Sequence, residues 1–369
     1  MQNSKLAKTE LLCLFGGRSA EYEVSLRSAY SVICNLNKDK YNVHIAGVTK
    51  EGEFYLFEGN AEDIPTDRWH LDATKLSRLK FAPGAKNPVC YEKNGEDILL
   101  PVDVVFPVMH GQNCEDGRLQ GLLELCGLPF VGPGCTSSAV CMDKTITKMI
   151  LSQYHIPQAR SRFFWSGAVL RDVDAVISDI ESAFSYPVFV KPASGGSSVG
   201  ASSASDAVSL RDALLCAARF DQKVLIEEFI DAREVEVAVL GNGDELITST
   251  PGEIDPGCEF YDYDTKYKND TASYYVPARI SENTQARLGR LAKNIYRALG
   301  CKGLSRVDFF VSRADDEAVV FNEINTLPGF TSISMYAKLF AHDGIGFSEL
   351  CDRLIELALD GAPSRTDGE

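Results

Sequence analysis

The sequence predicts an α/β protein: a parallel sheet with helical crossovers at its amino end, followed by a mixed α+β region. Short apolar runs bounded by glycine alternate with helix-length stretches over the first third of the chain. Further on, Val235 and Val237 alternate with Glu234 and Glu236 ahead of Val239, the period of a strand with two unlike faces. At 369 residues, and roughly 100–200 residues per domain, the chain holds two or three domains.

The elements follow in order. Residues 11–15 form an apolar strand that runs into Gly16-Gly17, and a helix covers 26–36. Strands follow at 41–48 and 102–108, the latter ended by His110-Gly111, and then a helix at 119–126. Gly132-Pro133-Gly134 breaks the chain. Thr136, Ser137 or Ser138 then caps a helix that sets Met142, Ile146, Met149 and Ile150 on one face. Strands at 187–191, 224–230 and 234–240 come next, with a polar, aromatic loop at 253–270. A helix at 284–299 and strands at 305–311 and 318–325 complete the pattern, and the tail after Gly361 is polar. Boundaries near residues 130 and 245 divide the chain into 1–130, 131–245 and 246–369.

Charge and composition remove several functions. Thirty-seven basic against fifty-two acidic residues leave a net charge of −15, which repels nucleic-acid phosphates. No window reaches the ~18 apolar residues of a membrane span, and the first apolar run is too short for a signal-peptide core. The eleven cysteines contain no CxxC pair, and the five histidines stand apart, so no zinc site is expected. A reduced, cytoplasmic protein fits this usage. Gly16-Gly17 lacks the G-x-G-x-x-G spacing of a dinucleotide-binding turn.

The most informative segments are 305–310 and 320–325. Residues two apart on a strand share a face, so Arg306 sides with Asp308 and Glu323 with Asn325. A hairpin turning between Asp315 and Asp316 would set Asp308 opposite Glu323 and Arg306 opposite Asn325. Facing carboxylates destabilise a strand pair unless a proton or cation lies between them, and Asp, Glu and Asn oxygens suit Mg²⁺. Arg306 could hold a phosphate or a developing oxyanion. The spacing alone also allows an exposed sheet face, and a slip of one residue would part the pairs.

The run from Asn322 to Ser332, NEINTLPGFTS, resembles the signature of the D-alanine–D-alanine ligases, which belong to the ATP-grasp superfamily. Other blocks of that family resemble this chain in the same order. They are FGGRSAEYEVS from Phe15, HG at His110 with EDG at Glu115, YPVFVKP from Tyr186 with GSSVG from Gly196, and EFYDYDTKY from Glu259. The resemblance implies a three-domain ATP-grasp ligase that is cytoplasmic and homodimeric. It would join two D-alanines through an acyl phosphate, using ATP and two Mg²⁺ or Mn²⁺ ions, for peptidoglycan synthesis.

It also implies roles for individual residues. Asp308, Glu323 and Asn325 hold the metals, and Arg306 with the Gly329 N–H forms the oxyanion hole. Lys144, Lys191, Ser198 and Lys266 meet ATP phosphates, although Ser194 and Gly195 stand where many relatives carry Arg and Glu. Glu227, Glu228, Phe229, Ile230 and Glu234 match the hinge that receives adenosine, with backbone groups of Glu228 and Ile230 on the adenine, Glu227 nearby and Glu234 on the ribose, whereas Glu236 is expected on an exposed strand face. Glu21 anchors the first D-alanine's ammonium and joins Ser197 and Tyr267 in a loop-closing network. His110 lies beside that substrate, and Ser334 binds the second substrate's carboxylate. Resistance-type ligases making D-alanyl-D-lactate or D-alanyl-D-serine usually carry Arg at the position of Met335. An apolar side chain there favours D-alanine as acceptor.

Overall fold

In a computed structural model the described residues are 7–196, 199–255, 273–331 and 333–360. They build three sheets. The first contains β1 (Thr9–Gly16), β2 (Tyr41–Val48), β3 (Phe54–Phe57), β4 (Leu76–Phe81), β5 (Val89–Lys93), β6 (Glu96–Leu99) and β7 (Val104–Val108). Its order is β6-β5-β4-β3-β2-β1-β7. Only β2-β1-β7 is parallel; β3 to β6 add an antiparallel meander, so the amino-terminal sheet is mixed. Strand β1, between β2 and β7, is buried from Leu11 to Phe15 because helices cover both faces, which explains its unbroken apolar run.

The second sheet is antiparallel, in the order β10 (Ser202–Ala204), β9 (Val188–Pro192), β11 (Lys223–Glu228) and β8 (Ser161–Trp165). The third holds β12 (Ala232–Asn242), β13 (Glu245–Thr248), β14 (Gly252–Asp255), β15 (Ser273–Tyr275), β16 (Gly303–Ser312) and β17 (Val319–Asn325). The changeover from second to third sheet thus falls at residues 229–231, upstream of the expected boundary near 245, because β12 pairs with β14 and β16.

The helix expected after Gly134 is two helices, Cys135–Met142 and Lys144–Gln153. Asp143 divides them, its carboxylate accepting the N–H groups of Thr145 and Ile146. Ser137 and Ser138 lie inside the first helix and do not cap it; Ser137 donates to the Gly300 carbonyl at 2.6 Å instead. The break also turns the second helix. Ile146 and Met149 are exposed, and Thr145, Thr147, Lys148 and Leu151 are buried, reversing the expected face.

The first and third sheets share one core, in which Leu11 and Phe15 join Leu304, Leu327, Phe330, Tyr336 and Leu354. Phe330 meets Phe106, Tyr336 and Phe347 with ring centroids 5.6–5.9 Å apart. Contacts of this kind contribute about 0.5–1.5 kcal/mol each beyond burial, so Phe330 anchors the Pro328-Gly329 turn. The second sheet packs a separate core with its own helices. No helix among the described residues is long and apolar enough to cross a membrane.

Candidate active site

The hairpin forms in the expected register at its open end, with Arg306 opposite Asn325 and Asp308 opposite Glu323. One step further the pairing shifts, so that Phe309 faces Phe321 and Asn322 becomes an extra residue. This bulge sends both Phe321 and Ile324 into the core and leaves Asn322 and Glu323 together on the cleft wall. On the other side of β16, Glu236 of β12 lies opposite Asp308. Glu236, Asp308 and Glu323 therefore form a row of carboxylates across three strands.

Arg306 holds this row. Its guanidinium donates to both oxygens of Asp308, at 2.8 and 2.7 Å, and its Nε lies 3.1 Å from Glu236 Oε2. Glu236 is only 6 % exposed. The expectation of an exposed strand face fails because the alternation on β12 gives the face but not what covers it. Asn325 Nδ2 donates to Asp308 at 3.2 Å, and Lys144 Nζ lies 3.2 Å from Glu323. Among the described residues no group of three or more Asp, Glu, His or Cys has the geometry of a metal site. The donor set nonetheless fits a hard cation. Two opposed carboxylates and an amide oxygen supply it, and Arg306 and Lys144 now provide the counter-charge.

Next to this row, the helix Lys144–Gln153 and β9 carry the lysines. Lys144 Nζ also donates to the Gly195 carbonyl at 2.8 Å, holding the start of the Gly/Ser loop. Lys191 pairs with Glu227 at 2.6 Å and reaches Asn322 at 3.5 Å. The second oxygen of Glu227 takes Lys148, also at 2.6 Å. Burial alone would raise the Glu227 pKa, but the two ammonium groups hold it down at about 2. The Glu227 carboxylate is thus committed to lysines rather than turned toward an adenine. Lys148 was not legible as a site residue, although its i, i+4 spacing from Lys144 was a signal. Glu228 donates its N–H to the Arg160 carbonyl and its carboxylate accepts from Arg160. Phe229 is exposed and Ile230 half-buried in the link between the second and third sheets. Glu234, two residues into β12, lines the cleft.

Glu21 stands where two glycine turns converge. A Cβ on Gly111 would lie 2.5 Å from its carboxylate, and one on Gly196 would lie 3.0 Å away. His110 is buried with both ring nitrogens engaged, one at 2.9 Å from the Leu327 carbonyl and the other at 3.0 Å from Ser28 Oγ. Burial lowers its pKa and keeps the ring neutral. It lines the cleft while tying the first sheet to the turn after β17. Glu115 makes a parallel link: its carboxylate accepts the N–H groups of Gly111 and Leu327. Gly329, Ser334 and Met335 close the far end of the cleft. The Ser334 hydroxyl turns back to Thr331, and a Cβ on Gly329 would lie 2.8 Å from it. Ser197, Ser198, Lys266 and Tyr267 lie outside the described residues.

Family models described as the D-ala D-ala ligase N-terminus and C-terminus match residues 10–133 and 150–356. The chain belongs to the D-alanine–D-alanine ligase family. A D-alanine–D-alanine ligase of Acetivibrio thermocellus is 47% identical over 363 residues, covering 95% of this chain and 96% of that protein. Among solved structures, the VanG D-Ala:D-Ser ligase of Enterococcus faecalis is 38% identical with a TM-score of 0.85. That match covers 95% of this chain and all of that one. The D-alanine–D-alanine ligase of Coxiella burnetii is 33% identical with a TM-score of 0.83, covering 96% and 95%. Family membership agrees with the ATP-grasp fold expected from the signature blocks.

Proposed function

We propose that this chain uses ATP to join two molecules of D-alanine into D-alanyl-D-alanine for cell-wall precursors. The observation that carries the reading is the cleft's division of charge. The carboxylate row with Arg306 in it lines the cleft together with Glu21, and Lys144 and Lys191 reach its lining residues Glu323 and Asn322. A nucleotide triphosphate, a carboxylate and an ammonium each find an opposite charge there.

Lys144 and Lys191, with Ser198 and Lys266 from the adjoining loops, would neutralise the phosphates. Backbone groups of Glu228 and Ile230, beside Phe229, and the Glu234 side chain would seat adenosine at the link between sheets, with Glu227 nearby and its carboxylate held by lysines. Asp308, Glu323 and Asn325 would hold two Mg²⁺ or Mn²⁺ ions, which offset phosphate charge and orient the γ-phosphoryl group. Glu21 would fix the first D-alanine by its ammonium, with neutral His110 beside it. An oxygen of that substrate's carboxylate attacks the γ-phosphorus, ADP departs, and the resulting acyl phosphate carries a good leaving group. The amine of the second D-alanine, seated by Ser334 and Met335, then attacks the carbonyl carbon. Arg306 and the Gly329 N–H would stabilise the tetrahedral oxyanion until its C–O bond breaks and phosphate leaves. Closure of the loops bearing Ser197 and Tyr267 over Glu21 would keep water from the acyl phosphate.

The same reading takes the three sheets as three domains and the protein as a cytoplasmic homodimer. Met335, buried and apolar, favours a methyl-bearing acceptor over a hydroxyl-bearing one. The route is tested with D-alanine labelled with ¹⁸O in its carboxylate. Transfer of one label into released phosphate supports it, and unlabelled phosphate would refute the acyl-phosphate step.

A further inference from the structure

Lys148 lies one helical turn beyond Lys144, and its ammonium pairs with Glu227, which also holds Lys191. It is only 7 % exposed, and Glu227 only 5 %. Glu227 presents one oxygen to Lys148 and the other to Lys191, each at 2.6 Å. The Lys148 Nζ also lies 3.5 Å from the Ala159 carbonyl. A buried, doubly bridged carboxylate has little freedom to turn, so the pair of strands and the helix fix its orientation. The neighbouring Glu228 also acts on Lys148, but its charge is offset by its own pair with Arg160. The count of charges is decisive: two ammonium groups share one carboxylate, leaving one net positive charge on the wall. Lys191 is the member of the three that reaches Asn322 in the cleft lining, while Lys148 turns to the Ala159 carbonyl.

We infer that Lys148 is a positioning residue for nucleotide binding. By taking half of Glu227, it keeps Lys191 from being fully neutralised and holds its ammonium toward the phosphates. The inference rests on the reading of Lys191 as a phosphate contact. Without Lys148, the same carboxylate would belong to Lys191 alone, and the local charge would fall from one positive to none. A phosphate would then have to compete with a buried ion pair for the Lys191 ammonium.

The test measures Mg-ATP binding by calorimetry, without D-alanine, for the full chain and for K148M, K148R and K148M/E227Q. Steady-state KM values for ATP and D-alanine accompany it. K148M is expected to weaken ATP binding at least about tenfold, with KM for D-alanine moving less than about twofold. K148R keeps the charge and is expected to bind ATP within about threefold of the parent. The double variant is expected to recover to within about fivefold, because Lys191 no longer has a carboxylate to neutralise it. It also carries the test if K148M alone does not fold. A K148M protein with reduced thermal stability but unchanged ATP affinity would show a merely structural lysine and overturn the inference. A double variant as weak as K148M would overturn it too. A parent that binds Mg-ATP but makes no product from D-alanine would instead count against the proposed ligation, leaving the role of Lys148 to the binding data.

Discussion

Replacing Arg306 by alanine probes the centre of the carboxylate row. The guanidinium makes two bonds to Asp308, at 2.8 and 2.7 Å, and one close contact with Glu236 at 3.1 Å. Both carboxylates are less than a tenth exposed. At about 4 Å between charge centres and an effective dielectric near 20, each attraction is worth about 4 kcal/mol before desolvation is subtracted. Breaking a buried pair by removing one partner costs about 3–5 kcal/mol, and proton uptake by the stranded acids relieves part of it. In the proposed mechanism the same change also removes a donor to the tetrahedral oxyanion, a loss of about 10²–10³ in kcat. R306A is therefore expected to be both less stable and nearly inactive. R306K keeps the charge, but its single ammonium cannot fork across Asp308 while reaching Glu236. It should recover much of the stability and little of the activity. Phosphate release at saturating ATP and D-alanine, read beside the thermal midpoint, separates the two effects. An R306A protein with parental kcat would refute the assignment of Arg306 to the reacting centre.

Three further outcomes follow from the same geometry. E323A should lower turnover by at least about 10³ while the fold persists, since Glu323 is half-buried at the strand end; unchanged phosphate release would remove it from the metal set. G252A would place a Cβ 2.5 Å from Met335 Cε and 2.6 Å from Leu339, driving the methionine toward the cleft. KM for the second D-alanine should rise about tenfold with KM for ATP unmoved, and an unaltered acceptor KM would show that Met335 does not wall that subsite. Burial first, and Glu21 second, push the Glu115 carboxyl up to about 8 from its ordinary 4.5. The folded chain thus holds a proton that the unfolded chain has released, and stability falls as pH rises between those values. E115Q should flatten that slope in pH-dependent thermal melts, whereas an unchanged slope would contradict the placement of the proton.

Much of this architecture was legible because local rules governed it. The hairpin register followed from where its turn sits, and β1, β2, β9 and β16 followed from apolar runs that nearby glycine or polar residues end. What one strand cannot report is its neighbour. Glu236 alternates with valines as an exposed residue would, yet β16 sets it beside Arg306 under the cleft. The bulge at Asn322 was equally hidden, since a period of two puts Phe321 on the face of Glu323 and only the hydrophobic core pulls it away. The helix break at Asp143 was readable in principle from an Asp followed two and three residues later by the N–H groups it caps. The burial of Lys148 was not, because a lysine on an amphipathic helix is ordinarily solvated.

The most direct test of the central claim incubates the full chain with Mg-ATP and equal amounts of D-alanine and D-serine, and reads product masses beside phosphate release. Phosphate release matched by D-alanyl-D-alanine as the dominant product is expected. A dominant D-alanyl-D-serine product, or ATP turnover with no dipeptide at all, would contradict it.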